Sequence, residues 1–239
     1  MFENREVAYT SNAQVVDEGL RSYMLKIYNY MTGGLAVTGI ISYLIASNPS
    51  FLRLFFTPTG YSGFGWLALF APLIMVFAFG WVVNKGTLAQ VQAMFWGFSA
   101  LMSVSLAPIF LIYTGTSITR VFLITAATFG ALSLYGYTTK KDLSGWGSFL
   151  MIGLIGLIIA TIVNFFMQST GLYYALSYIG ILIFAGLTAY DTQNLKSMYY
   201  QSDMGGDIAD RIAISGALSL YLDFVNMFLY LLRLMGDRR

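Results

Sequence analysis

Two apolar runs in the last quarter of the chain each carry an aspartate, LTAYDTQNLK (187–196) and LSLYLDFVNMF (218–228). Asp191 and Asp223 are the only acids that lie well inside runs of this kind. A helical hairpin that turns back in the segment QSDMGGDIAD (201–210) would bring the two carboxyl groups to about the same depth. A charged side chain at the centre of a bilayer costs about 2.5–3.5 kcal/mol on insertion scales, so this pair predicts a functional site.

The composition is that of a protein that crosses a membrane several times. Of the 239 residues 57% are hydrophobic and 10% are charged, whereas soluble domains contain about 25% charged residues. The chain has no cysteine and no histidine, which excludes disulfide bonds, thiolate metal sites and most hydrolytic mechanisms. No basic run suggests nucleic acid as a partner. A response to pH near neutrality must therefore come from carboxyl groups.

Seven segments are long and apolar enough to cross a membrane as helices, given that about 20 residues span the hydrocarbon core. They are 26–47, 62–83, 91–113, 118–137, 145–167, 173–199 and 212–235. The predicted fold is therefore an all-α membrane protein with a seven-helix bundle. Residues 1–22 are polar, lack the pattern of a secretory signal peptide and are expected to form an N-terminal cytoplasmic arm, with residues 23–239 as the transmembrane domain.

The basic residues predict that the N-terminus lies in the cytoplasm. Seven crossings would place eight lysines and arginines on the N-terminal side, against Arg53 and Arg120 in the opposite loops. Arg233, Arg238 and Arg239 of the tail would then lie outside, against the same rule. The seventh segment either crosses while shielded by the other helices or enters and returns, and the sequence leaves both arrangements open.

The two aspartates have polar neighbours at helical spacing. Thr188 lies three residues before Asp191, and Ser219 and Asn226 flank Asp223 at positions i−4 and i+3. Such a polar stripe must face the interior of the bundle or a water-filled path. Two neighbouring carboxylates cannot both ionise cheaply in a low dielectric, so we expect the pair to share a proton.

This pair predicts a two-state gate for a cation. Raising the pH would introduce repulsion that loosens the hairpin and opens a path, and the carboxylates left behind would attract a cation. Calcium prefers about six to eight oxygen ligands. Two carboxylates, Asp191 and Asp223, with a few hydroxyl groups and waters would therefore bind it weakly and in transit.

A simpler interpretation is that each aspartate pairs with a base and only fastens the bundle. Lys85, just after the second span, is the best such partner, and Arg120 and Arg233 are alternatives. The two interpretations are compatible, since a salt bridge to Lys85 could hold the closed state of a gate.

Three segments resemble the signature segments of the Bax inhibitor-1 family, also called the transmembrane Bax inhibitor motif family, in its bacterial branch. They are SLYGYTTKKDLSGWG (133–147), LTAYDTQNLK (187–196) and LSLYLDFVNMFLYLLRLMG (218–236). The resemblance implies a bundle whose last helix is wrapped by the other six. It also implies a pH-sensitive calcium leak in a bacterial inner membrane, with Asp191 and Asp223 as the sensor. The basic residue that the family places after its second helix is matched here by Lys85.

The partners expected on this basis are membrane lipid and the calcium ion, which is transported and is not a cofactor. The resemblance also implies a competing function, because some bacterial relatives are linked to modulating a membrane-bound ATP-dependent protease. In that case the N-terminal arm would bind the partner. A third class, an intramembrane aspartyl protease, usually has a glycine beside its acid, and neither Asp191 nor Asp223 has one. We therefore expect that the protein is not an enzyme.

Overall fold

The computed structural model describes residues 3–58, 60–201 and 206–239, with the side chains of 18–58, 60–200 and 206–239. Within these ranges seven helical stretches are long and apolar enough to span a membrane, which confirms the seven predicted spans. They are Glu18–Ser47, Gly63–Lys85, Leu88–Ile112, Gly115–Thr138, Ser144–Met167, Thr170–Tyr200 and Asp207–Met235. Most extend a few polar residues beyond the predicted ends.

The helices of the described chain follow each other with short connections. In order they are α1 (Glu3–Ser47), α2 (Pro49–Phe55), α3 (Gly63–Lys85), α4 (Leu88–Leu106), α5 (Ile109–Ile112), α6 (Gly115–Thr138), α7 (Ser144–Met167), α8 (Thr170–Gln201) and α9 (Asp207–Met235). Between α2 and α3 two short strands, β1 (Phe56–Thr57) and β2 (Gly60–Tyr61), pair antiparallel.

Three differences from the predicted boundaries have local causes. The backbone is already helical from Glu3, ahead of the first span, and the division between arm and domain at residue 22 stays a prediction. The third span is interrupted between α4 and α5 at Pro108, whose ring cannot donate a backbone hydrogen bond. Of the predicted turn 201–210, residues 202–205 lie outside the described residues, and α9 already begins at Asp207.

Side-chain caps determine where three of the spans begin. Ser62 accepts a hydrogen bond from the backbone of Gly65 at 3.0 Å, and Thr114 caps α6 in the same way. Thr87 and Gln90 form a reciprocal capping box at the start of α4. Each cap satisfies backbone N–H groups that the first turn of a helix leaves without partners.

The C-terminal helix α9 lies at the centre of the bundle, as predicted. It packs against α8, α1, α6 and α4, makes few contacts with α3, and has the largest buried share of the seven spans. Ala213, Gly216 and Ala217 are buried on it and let the neighbouring backbones approach closely. The other spans form an incomplete ring, in which α7 packs mainly on α8.

The last helix crosses the bundle completely. Its tail meets the junction between the third and fourth spans, at the face opposite to the one where α9 begins. The backbone N–H of Thr114 donates to Asp237 at 3.0 Å, and that of Arg239 donates to Ile112 at 2.9 Å. The Arg120 guanidinium forms an ion pair with Asp237 at 3.0 Å. Of the two arrangements that the sequence left open, the structure has the full crossing.

Candidate functional site

Two glycine contacts determine the register of the antiparallel helices α8 and α9. A Cβ atom at Gly216 would lie 2.4 Å from Cδ2 of Leu195, and one at Gly180 would lie 2.6 Å from Cε2 of Tyr230. At both points a side chain of one helix rests directly on the backbone of the other. These two contacts therefore indicate which residues of α8 and α9 lie opposite each other between them.

This register places the two aspartates on neighbouring turns. Interpolation between the two contacts puts the backbone of Asp191 opposite Ser219 and Leu220, and that of Asp223 opposite Leu187 and Thr188. The two backbone positions thus lie within about one helical turn of each other, about 5 Å along the axis, and each Cβ atom tilts toward the other aspartate because the helices are antiparallel. A common depth of the two carboxyl groups stays a prediction. They remain close enough for electrostatic interaction between the two acids. The structure therefore brings the predicted pair together.

The two carboxyl groups differ in their surroundings. Asp223 is only 4% exposed, and its Oδ2 atom is buried without a hydrogen-bond partner among the described residues. Asp191 is half-buried. A buried acceptor that makes no hydrogen bond costs about 1–3 kcal/mol. The centre of the bundle therefore holds a polar group at an energetic cost, which is characteristic of functional sites.

The polar stripe on α9 becomes more enclosed beyond its first member. Ser219 is exposed, Asp223 is buried and Asn226 is half-buried. The amide of Asn226 donates to the carbonyl of Leu222 in its own helix at 2.8 Å, so it does not bond to either aspartate through this group. Ser219 lies one turn from Asp223 on the side where α9 begins. The stripe is thus accessible at Ser219 and closed at Asp223.

A chain of hydroxyl groups joins three helices beside Asp191. Thr192 donates to the carbonyl of Thr188 at 2.8 Å, because a carbonyl can only accept. Ser133 must then donate to Thr192, at 2.9 Å, and Tyr28 must donate to Ser133. The chain connects α1, α6 and α8, and Thr188 takes part through its backbone. Sequence reasoning missed Tyr28 and Ser133; Ser133 opens the segment 133–147, which was its one available signal.

A second hydroxyl chain holds the central helix two residues before Asp223. Thr38 donates to the carbonyl of Ser99 at 2.9 Å, so the Tyr221 hydroxyl donates to Thr38, at 2.7 Å. All three residues are buried. This chain joins α9 to α1 and α4, and it satisfies the one polar atom of the Tyr221 side chain.

No basic side chain forms an ion pair with either aspartate in the part of the chain whose side chains are described. The ion pairs there are Lys26–Asp210, at 2.5 Å, and Arg120–Asp237 at the opposite face. Arg233 lies over the rings of Tyr173 and Tyr230. These contacts therefore do not support the interpretation in which a base neutralises each aspartate.

Lys85 is exposed at the end of α3. The carbonyl groups around it are occupied by Arg211 of α9, which donates to Val83 at 2.9 Å and to Gly86 at 2.7 Å. This contact satisfies the last carbonyls of α3 and places a positive charge at the negative end of its dipole. The role of Lys85 in the closed state stays a prediction.

The comparisons with known proteins agree with this architecture. The family described as "Inhibitor of apoptosis-promoting Bax1" matches residues 20–239. The chain belongs to the Bax inhibitor-1 family. This membership confirms the resemblance seen in the three signature segments, and the match includes both aspartates.

Similar members of the family occur in several bacteria. An uncharacterised protein of Rickettsia prowazekii, RP147, is 46% identical over 230 residues, which cover 96% of this chain and 95% of the relative. An uncharacterised protein of Caulobacter vibrioides is 45% identical over 94% of this chain and 92% of its own length. The inner membrane protein YbhL of Escherichia coli is 43% identical over 92% of this chain and 94% of its own length. This family member is therefore an integral membrane protein with close bacterial relatives.

Proposed function

We propose that this protein is a pH-sensitive calcium leak of a bacterial inner membrane, with its N-terminus in the cytoplasm and its gate at Asp191 and Asp223. The observation that carries the proposal is the Asp223 carboxyl. It lies on the most enclosed helix of the bundle, with one oxygen buried and without a hydrogen-bond partner among the described residues, and the second acid is close enough to interact with it electrostatically. A purely structural helix at this place has no need of either acid.

The closed state is the packing in which the pair carries a shared proton. An unpaired carboxylate at the position of Asp223 would cost several kcal/mol, because no cation compensates it there. Loss of the proton leaves two negative charges on neighbouring turns of α8 and α9. Their repulsion acts across the contact between Leu195 and Gly216 and separates the two helices.

Calcium passes through the opened contact and binds there only weakly. The oxygen atoms at this level come from Asp191, Asp223 and Ser219, which is fewer than the about six to eight ligands of a high-affinity site. Water supplies the remaining ligands, and the approach to Ser219 is already exposed. Weak binding suits a leak, since an ion must also leave the site.

The test is calcium flux into liposomes that contain the purified protein, measured across a pH series. We expect a pH-dependent flux in the wild type, and an Asp223→Asn variant whose flux does not change with pH, because the amide cannot lose a proton. Asp191→Asn is expected to weaken the pH dependence. The matched control is Asp207→Asn, on an exposed residue at the start of the same helix, which should keep the wild-type profile.

An unchanged pH profile in both single variants would remove the pair from the gating mechanism. The repulsion argument makes the alkaline side the conducting one. Flux could instead rise toward acid pH and lose its pH dependence in Asp223→Asn. That outcome would retain the two aspartates as the pH sensor but would make the protonated state the conducting one.

A second function, regulation of a membrane-bound protease, is favoured by one observation. Helix α1 begins at Glu3, well ahead of the apolar run that starts at residue 26, so a length of helix precedes that run. Deletion of residues 1–20 should then abolish binding to the protease in a pull-down and leave calcium flux intact. Binding that survives this deletion would contradict a role of the arm.

A further inference from the structure

A lateral cavity of about 690 Å³ lies between α1 and α6. Its walls are apolar for most of their length, with Met24, Leu35 and Phe129 among them, and Phe224 of the central helix closes it on the inner side. A smaller cavity of about 100 Å³ shares Leu35, Phe122 and Phe224 with it and continues it toward the other face. The two cavities together form one groove that runs along the bundle and reaches α9 at Phe224.

The groove opens toward the surrounding lipid. Its rim residues Leu25, Phe122 and Leu134 are apolar and are 50%, 43% and 63% exposed. From Arg21 to Leu35 the groove follows α1 over fourteen residue-to-residue steps, about 21 Å at 1.5 Å per step. One leaflet of hydrocarbon is about half of the 30 Å core. The groove is thus long enough for one acyl chain and the headgroup region above it.

The mouth of the groove is positively charged. Arg21 lines it at the end where α1 enters the membrane, and no ion pair of Arg21 occurs among the described side chains. Tyr137 also lines the groove, and Lys196 is held against it: its ammonium lies 5.0 Å from the Tyr137 ring centre and donates to the Tyr137 carbonyl at 2.8 Å. Glu18 is the acid nearest to Arg21 along the helix, and it faces a separate shallow depression that Arg21 also borders.

We propose that this groove binds an acyl chain of an anionic phospholipid whose phosphate pairs with Arg21 and Lys196. Basic side chains at headgroup level above an apolar channel are the arrangement that recognises such a lipid. The chain would pack on Phe129 and Phe224 and cover the hydrogen-bonded hydroxyls of Tyr28 and Ser133. Phe224 follows Asp223 directly, so the lipid contacts the central helix beside the candidate gate.

The absence of native cysteine permits a direct test with single labelled positions. Leu134→Cys lies on the rim, and Phe149→Cys on α7 is a matched control, since the two native residues are 63% and 68% exposed. Their depths are similar because Leu134 lies four residues before the end of α6 and Phe149 five residues after the start of the next helix. The new cysteine of each variant is labelled with a bimane fluorophore. The protein is then placed in phosphatidylcholine vesicles that contain a minor fraction of phosphatidylglycerol with brominated chains. The bromine atoms quench the fluorophore on contact.

We expect quenching at position 134 to exceed that at position 149 by about fivefold, the enrichment equivalent to about 1 kcal/mol for one basic side chain near an anionic headgroup. Brominated phosphatidylcholine at the same fraction should quench both positions equally. Arg21→Gln should reduce the excess at position 134, and Glu18→Gln should preserve it. Equal quenching by phosphatidylglycerol at both positions, or an excess that survives both Arg21→Gln and Lys196→Gln, would overturn the proposal.

Discussion

Helices α7 and α9 both cross the membrane, yet they occupy opposite environments. The most apolar stretch of α7 is 11% buried within the protein, whereas that of α9 is 61% buried. The less buried helix is the more apolar one. Helix α7 has the highest mean hydropathy of the seven spans, whereas α9 contains Asp223 at its middle. The helix that carries an acid at its middle is thus the one that the others surround.

This difference shows how a bundle sorts its helices within a bilayer. An apolar side chain gains little by moving from lipid to protein, since both are equally apolar, so burial there depends on close packing and polar contacts. Gly216 of α9 is covered by Leu195, whereas Gly156 of α7 has open space where a Cβ atom would be. The same residue type is a packing contact in one helix and a lipid-facing position in the other.

The largest effect is expected from placing an acid on α7. Ile155 lies at the middle of α7 and is 53% exposed, so Ile155→Asp would present a carboxyl group to lipid. The expected cost is about 3 kcal/mol in the apparent free energy of membrane insertion, measured by the glycosylation-based insertion assay on α7. Ile155→Leu is the control. Insertion of Ile155→Asp as efficient as that of the control would show that this face of α7 is not in lipid.

The next effect is expected where two backbones touch beside the aspartates. A Cβ atom at Gly136 of α6 would lie 2.2 Å from the carbonyl oxygen of Ala189 of α8. Backbone cannot move aside as a side chain can, so Gly136→Ala should lower the free energy of unfolding by about 3 kcal/mol, at the upper end of overpacking costs. Denaturant unfolding in detergent micelles measures it.

Gly130→Ala on the same helix is the matched control, because nothing lies within 4 Å of its Cβ position. Its stability should not fall below that of the wild type, because alanine favours a helix over glycine where space is open. Equal stability of both variants would contradict the close approach of α6 and α8.

The smallest effect concerns one hydroxyl group at the centre. Tyr221→Phe removes the hydrogen bond to Thr38 and should cost about 1 kcal/mol, within the range of single hydrogen bonds in membrane proteins. Tyr178→Phe removes a hydroxyl from a side chain that is 62% exposed and should change nothing measurable in the same unfolding experiment. A larger loss at Tyr178 than at Tyr221 would reverse the comparison between centre and periphery.

Local features of the sequence were sufficient to predict the spans and the acidic pair. A run of about 20 apolar residues has few alternatives to a transmembrane helix, and the high cost of charge in lipid singled out Asp191 and Asp223 without any coordinates. The central place of the last helix came from the family resemblance, and the structure confirms it. The register of α8 against α9 was beyond sequence reasoning, because it depends on how Leu195 and Tyr230 meet two glycines.

Contacts between distant segments were also beyond sequence reasoning. The carbonyls at the end of α3 are bound by Arg211, more than a hundred residues further along the chain, and nothing in the segment around Lys85 indicates this contact. Tyr28 and Ser133 are unremarkable in their own segments, and they form a hydrogen-bonded pair only because α1 and α6 lie side by side.

The sequence by itself determined that this protein is a bundle of seven membrane-spanning helices with two acids in its last two spans. These properties follow from the free energy of transferring each segment into lipid, which depends on local composition. Only the tertiary structure decided that the last helix fully crosses, how α8 and α9 are aligned, and where a groove is left between α1 and α6. Those features depend on the shapes of surfaces that meet across the bundle, and shape complementarity between distant segments is not written in any one of them.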